Sequence, residues 1–363
     1  MQKIISLLII LSLNSYIFGC NIPVFRYALE RWNAEVFEAI IITSSNGLSQ
    51  SEKLAVKRLQ QNSFDIENNI NLAVTIASTT DIQNTHLKDL FKDIKLDSKQ
   101  NRIYLFHPRT SNIPNVIWQG PLTLKNVNKI LYSDIRKQIA DKICNGATAV
   151  YLMLESSNTQ KNKDAWQVLQ QAKQSLNKDM EIPKGIILHN GNVVGGDEVL
   201  PDTESKLYSA VPLKIDFQTL QFKASDDPIL YNTISIMAEN TTIDEPMVFA
   251  FFGQGRALSP LVGKEINRKN FFRMGYYICG ACSCEVKSQN PGIDVPILCQ
   301  WTNRIQNLTD NIDYSVFINK PAIEPNTTPK KTNSPKTIAI VLGLLIIFFV
   351  LIFLRRHRQR SLE

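Results

Sequence analysis

An α/β fold followed by one C-terminal membrane helix is predicted from three observations. Short apolar runs rich in β-branched and aromatic residues alternate with segments of helical periodicity between residues 22 and 279. Ile338–Leu354, IAIVLGLLIIFFVLIFL, is apolar throughout and carries no charge. As a helix it would span roughly 26 Å, close to the hydrocarbon thickness of a bilayer. At the other end, residues 1–19 hold one lysine and then an apolar run, the layout of a secretory signal.

The elements follow in order. Val24, Tyr27, Ala28 and Leu29 lie at helical spacing after Pro23, so residues 22–32 read as helix. Residues 36–43, VFEAIIIT, read as a buried strand. Ser49 with Glu52 forms a capping box that opens a helix over 49–59. Strands are expected at 71–77 and 102–107, a short one at 116–118, and a short helix near 86–94. Helices are expected at 123–131 and 134–144, a strand at 149–154 and a helix at 163–176. Turn-forming residues dominate 180–202. A second set begins with a strand over 213–222 and a helix that Asp227 caps and Pro228 starts. Residues 247–252, MVFAFF, read as a buried strand; 258–262 and 270–277 read as helical.

In the first set the order is β-α-β, then two strands, then a helix. This layout resembles a thioredoxin-like domain. The resemblance would place Cys-x-x-Cys after the first strand, where this chain has Ser44-Ser45-Asn46-Gly47. A thioredoxin-like unit here would lack the redox pair and act as a binding scaffold, because fold alone does not confer activity. Two such units are expected, with a duplication suggested by Trp118–Leu122 leading to Ile143-Cys144 and Gly253–Leu258 leading to Ile278-Cys279. The expected organisation is a signal peptide at 1–19, a first α/β domain at 20–180, a connector at 181–205 and a second domain at 206–302. A Pro/Asn/Thr/Lys stalk at 303–336, a transmembrane helix at 337–354 and a basic tail at 355–363 complete it.

Charge bears on location more than on partner. Formal net charge is +7, but Lys3 and the four tail arginines lie outside the folding region, as does Glu363, which leaves +3 within it. No Lys/Arg stripe with interleaved aromatics occurs, so a nucleic-acid partner is not expected. Arg355, Arg356, Arg358 and Arg360 follow the span at once. Basic residues beside a span favour the cytoplasmic side. The bulk of the chain is therefore expected outside the cytoplasm, single-pass, in a bacterial cytoplasmic membrane, with the membrane and an envelope complex as partners.

Cysteine supplies the candidate site. Cys279, Cys282 and Cys284 are followed by Cys299; Cys20 and Cys144 complete the six. Outside the cytoplasm cysteines usually pair, and six allow fifteen connectivities. If Cys282 and Cys284 lie on one strand they share a face, toward Cys279 or Cys299. Structural disulfides or buried thiols, a soft-metal site for Cu or Zn, and thiol–disulfide exchange are all open readings. Ile17-Phe18-Gly19-Cys20 partly resembles a lipobox, which makes Cys20 the mature N-terminus and a lipidation candidate. Gly253-x-Gly255 lacks the third glycine of a phosphate loop and reads as a tight turn. His86, His107 and His189 show no paired ligand spacing. No cofactor site is expected.

CNIPVFRYALERW at 20–32, FGQGRALSPLVGKEI at 252–266 and GACSCEVKSQNPGID at 280–294 together resemble a group of secreted or membrane-anchored proteins of planctomycete-like bacteria. Such proteins carry a GRGRAL-type turn where this chain has Gly253-Gln254-Gly255-Arg256. The resemblance implies an envelope protein cleaved just before Cys20, and it implies no activity. The resulting expectation is a non-enzymatic binding or accessory component of an envelope assembly. Metal binding through Cys279, Cys282 and Cys284, or thiol exchange at the same residues, stand as alternatives.

Overall fold

The computed structural model describes residues 20–306, apart from 64–70, 85–86, 97–98, 112, 114–115, 197–198, 200–202, 239–243 and 283–285. Signal segment, span and tail lie outside these residues, as do His86 and Cys284. Among the described residues no helix is long and apolar enough to cross a membrane.

The chain is a mixed α/β protein with two sheets. Helix α1 (Val24–Arg31) precedes β1 (Phe37–Thr43), α2 (Gln50–Gln60) and β2 (Leu72–Ser78). Short helices α3 (Thr79–Asn84) and α4 (Lys88–Phe91) lead to β3 (Arg102–Phe106), β4 (Val116–Pro121) and α5 (Leu124–Leu131). Next come α6 (Asp134–Cys144), β5 (Ala149–Leu154), α7 (Thr159–Asp179), β6 (Phe217–Phe222), α8 (Pro228–Ser235) and β7 (Met247–Phe252). The chain continues with β8 (Arg256–Ala257), β9 (Leu261–Val262), α9 (Arg268–Cys279), β10 (Ile293–Asp294) and α10 (Trp301–Gln306).

Sheet A has the order β2-β1-β3-β4, with β1 parallel to β2 and antiparallel to β3, and β3 antiparallel to β4. Strand β1 is covered on both faces, which explains why it is apolar apart from Glu38 and Thr43. Phe37, Ala39 and Ile41 face Ala55 and Leu59 of α2 and Ile130 of α5, while Ile40 and Ile42 face Phe91, Tyr104 and Phe106. Each side chain of this size contributes about 1.5–3 kcal/mol when fully buried. Helix α2 starts as its sequence dictates: Ser49 accepts from the Glu52 backbone N–H and Glu52 accepts from that of Ser49.

Sheet B has the order β10-β8-β7-β5-β6, with β9 also on β7. Here β5 is parallel to β6 and antiparallel to β7, and β7 is antiparallel to β8 and β9. One face carries Tyr151, Met153, Ala250 and Phe252 against α1, α7 and α9; the other carries Val150, Leu152, Phe249 and Phe251 against α6, α8 and α10. Helix α8 also reaches sheet A: Ile229 packs with its core and the Asn232 side-chain amide donates to Ile117 O at 2.8 Å.

Three local expectations change. Residues 149–154, expected in the first domain, form the centre of sheet B, and α1 and α6 pack on that sheet too. Periodicity identifies a strand but not its partner, and β5 finds β6 only across α7 and the connector. Residues 258–262 are extended, not helical. Pro260 has no N–H to give a helix and biases Ser259 away from helical backbone. The strand over 213–222 begins at Phe217. Ala281 makes only an isolated bridge to Pro23, and Cys282 lies outside any strand.

Candidate functional site

The cysteines divide between the two faces of sheet B. Cys20, Cys279 and Cys282 lie in the core beneath α1, α7 and α9; Cys144 and Cys299 lie in the core on the opposite face. Ile143-Cys144 and Ile278-Cys279, matched in sequence, thus end helices on opposite sides of one sheet. Cys299 is not a neighbour of the 279–284 group, and Cys284 lies outside the described residues. Among the described residues no group of three or more His, Cys, Asp or Glu is placed to hold a metal ion.

On the first face the surroundings are apolar. Cys279 is 4% exposed at the end of α9, near the fully buried Tyr151. Burial pushes its thiol up to about 12, because no opposing cation offsets the loss of water around a thiolate. Cys282 is held by its backbone N–H donating to Ile22 O at 2.9 Å. The Cys20 thiol donates to Glu204 O at 3.8 Å, and Asn21 N–H donates to Ser205 Oγ at 2.9 Å. The sulphur of Cys20 therefore points inward, and a lipid on it would require residues 20 and 21 to leave these partners.

The opposite face holds a charged relay. Asp141 and Cys144 are three apart on the last turn of α6, so they share a side of the helix. Cys299 precedes α10, which supplies Arg304. The Arg304 guanidinium donates to Cys299 Sγ at 3.5 Å and to Asp141 Oδ1 at 2.8 Å. Lys137 donates to the other Asp141 oxygen at 2.6 Å. Interaction with the Cys144 thiol, with Arg304 behind it, outweighs burial and brings the Cys299 thiol below its ordinary range. The Cys144 thiol moves up, because its proton is engaged and it is buried. Cys299 and Arg304 line a cavity of about 290 Å³ together with Tyr132, Ser133, Lys137 and Ala140. A buried dithiol whose one sulphur is favoured as thiolate and faces a cavity is an arrangement suited to thiol–disulfide chemistry.

This face is also held by a buried ion pair. Asp227, read from sequence as a helix cap, accepts at Oδ1 from Ile229 and Leu230 N–H, at 3.1 and 3.0 Å. Its other oxygen accepts from Arg136 Nε at 2.7 Å. Arg136 also donates to Ile130 O, Lys129 O and Pro296 O, which fixes the stretch leading to Cys299. Neither ion is more than 3% exposed, and both are hydrogen-bonded beyond the pair itself.

The three quoted sequence motifs meet elsewhere, around α1. Gln254 bonds Leu29 O and Ala34 N; Lys287 donates to Asn33 O at 2.7 Å and to Asp294 at 2.5 Å. Arg256 pairs with Asp294 at 3.3 Å, and Glu35 N–H donates to the other Asp294 oxygen at 2.8 Å. Burial, then Asp294, holds the Glu35 carboxyl above its ordinary range. Gly253 sits at φ 58°, and a Cβ there would come within 2.6 Å of the Ala28 Cβ. The Gly253-x-Gly255 turn thus closes the β7–β8 hairpin against α1, and the crevice between Trp32, Arg256 and Asp294 has no room for a water molecule. These motifs join residues 20–35 to sheet B and leave no ligand space at their meeting point.

His107 is 4% exposed, and burial lowers its imidazole to about 4, so it is neutral at pH 7. Cys144, Asp141 and Arg304 are the site residues that sequence reasoning passed over. Asp141 and Cys144 share a helix turn, but nothing in the sequence couples residue 144 to residue 299. No protein-family model matches this chain, and no curated protein matches it.

Proposed function

We propose that this chain is a membrane-tethered, extracytoplasmic binding or accessory module of a bacterial envelope assembly, built of two thioredoxin-like units and without enzymatic chemistry at their usual catalytic position. One observation carries the reading. Both sheets run a parallel pair, then an antiparallel third strand, then an antiparallel fourth, in the thioredoxin order 2-1-3-4. In neither does the turn after the first strand carry a cysteine: it reads Ser44-Ser45-Asn46-Gly47 in sheet A and Glu155-Ser156-Ser157-Asn158 in sheet B. Both turns are closed on themselves. Asn101 accepts from Ser44 N–H and donates to Gly47 O, and Asn162 accepts from Ser156 N–H and donates to Ser156 O. Shared strand order also supports the duplication, with β1, β2, β3 and β4 matched to β5, β6, β7 and β8.

The address rests on the uncharged run Ile338–Leu354, the arginines after it and the signal-like start. It is tested by a reporter active only outside the cytoplasm, fused at Asn326 or after Arg360. Activity at Asn326 alone is the expected result; equal activity at both sites overturns the orientation. The accessory role is tested by isolating the full chain from its native membrane after mild cross-linking. A defined stoichiometric complex is expected, and a solitary chain at every cross-linker concentration would count against the reading.

A further inference from the structure

The second face of sheet B carries chemistry that the scaffold reading leaves unused. We propose that Cys144 and Cys299 form an exchange-competent dithiol, in which Cys299 attacks an external disulfide and Cys144 resolves it to an intramolecular disulfide.

Geometry assigns the two roles. Cys144 and Cys299 lie in the same buried core, and Arg304 holds both Cys299 and Asp141, one helical turn before Cys144, which brings the two sulphurs to one place. Arg304 donates to Cys299 and is itself held by Asp141 at 2.8 Å, so positive charge is fixed beside that sulphur. Cys299 borders the 290 Å³ cavity, whereas Cys144 is absent from its lining. An incoming disulfide therefore meets Cys299 first. The cavity border carries Lys137, Arg304 and Asp134, and both cations are already held by Asp141, so the site takes a small external disulfide with no preference set by charge.

The steps balance as follows. The Cys299 thiolate attacks one sulphur of R–S–S–R′; the Cys299–S–S–R bond forms, the S–S bond of the reagent breaks, and R′–S⁻ leaves. Cys144 gives up its proton, and its sulphur attacks that of Cys299. The Cys144–Cys299 bond forms and R–S⁻ leaves, taking up the proton. Two protein thiols are oxidised and one external disulfide is reduced to two thiols. The product ties the end of α6 to the segment entering α10, the last described helix before the expected stalk. Nothing in this chemistry depends on the membrane side or on a partner, so it fails or stands separately from the scaffold reading.

The experiment uses the full chain in detergent, fully reduced and then exposed to oxidised glutathione, with acid quenching, alkylation and peptide mapping. Wild type should yield a Cys144–Cys299 cross-linked peptide. Cys144→Ser should accumulate a glutathione adduct on Cys299, and Cys299→Ser should leave Cys144 unmodified. Arg304→Gln should slow adduct formation roughly tenfold at pH 6.5, with the difference closing toward pH 9, because a fixed cation acts by raising the thiolate fraction. That pH profile separates positioning from a merely structural effect. Both cysteines remaining as thiols, or a cross-link from Cys299 to Cys279 or Cys282, would overturn the proposal. If the serine variants do not fold, the wild-type map alone decides it.

Discussion

Cys279 and Cys299 lie on opposite faces of one sheet, both with less than a tenth of their surface exposed, yet their thiols shift in opposite directions. On the α9 side, burial stands alone and the thiol moves up to about 12. On the α10 side, the neighbouring Cys144 thiol and an arginine oppose burial and bring the thiol down. Desolvation sets the direction only where no donor reaches the sulphur. Burial and sequence proximity are therefore poor guides to which cysteine reacts: the crowded 279–284 segment contributes a thiol held protonated, and the isolated Cys299 is the activated one.

The sharpest way to break this comparison is alkylation. Near pH 7 Cys299 is shifted toward the thiolate and Cys279 away from it. A limiting haloacetamide should label Cys299 before Cys279, with a rate that rises at a lower pH than that of Cys279. Equal labelling in a peptide map would remove the distinction.

The next effect concerns what holds the second face. Asp227→Ala leaves Arg136 buried without its carboxylate and uncaps α8. Breaking such a pair from one side costs about 3–5 kcal/mol. Urea unfolding should report a loss in that range, and Cys299 should lose its selective reactivity, because Arg136 also holds Pro296. A loss under 1 kcal/mol would mean that the face is organised without this pair.

The same desolvation acts on a base in sheet A. His107 in the fold titrates near 4 instead of 6.5. Its folded value is depressed, so between those values the unfolded chain binds more protons. Its contribution is fully present above pH 6.5 and is lost as pH falls toward 4. The maximum is about 3 kcal/mol at 1.36 kcal/mol per unit. His107→Gln should flatten the stability profile between pH 6.5 and 4, measured by denaturation at each pH. An unchanged slope would assign the acid sensitivity to other groups.

The smallest effect sharpens the relay. Lys137 is 74% exposed and pairs with Asp141 at the surface. Lys137→Ala should change stability by about 0.5 kcal/mol or less, and should leave the Cys299 labelling midpoint where it stands in the wild type. A large shift would place Lys137, not Arg304, as the controlling cation.

Much of the local structure was legible because its causes are local. The capping box Ser49–Glu52 starts α2, Asp227-Pro228 starts α8, and the all-apolar 247–252 run is β7. Each depends on residues within a turn or a strand of itself. In sheet A all four strands come from one continuous stretch, residues 37–121, so strands that follow one another in sequence share one sheet. The strand 149–154 was legible as a strand but not as a member of sheet B, and 258–262 was misread because apolar spacing outweighed Pro260.

The cysteine site was beyond the reach of such reasoning. Sequence by itself determined which residues are cysteines, that the chain alternates strands and helices, and that the turns after the first strand of each set lack cysteine. Only the tertiary structure decided that Cys299 belongs with Cys144, more than 150 positions earlier, and that Arg304 and Asp141 serve it. The physical reason is that a sheet has two faces and alternation along a strand is blind to which helix covers each. Helices α6 and α10 meet because both bury apolar stripes on the same side of β5 and β7. Charge and sulphur are carried to that meeting by the packing of Ile139, Ile143, Trp301 and Ile305.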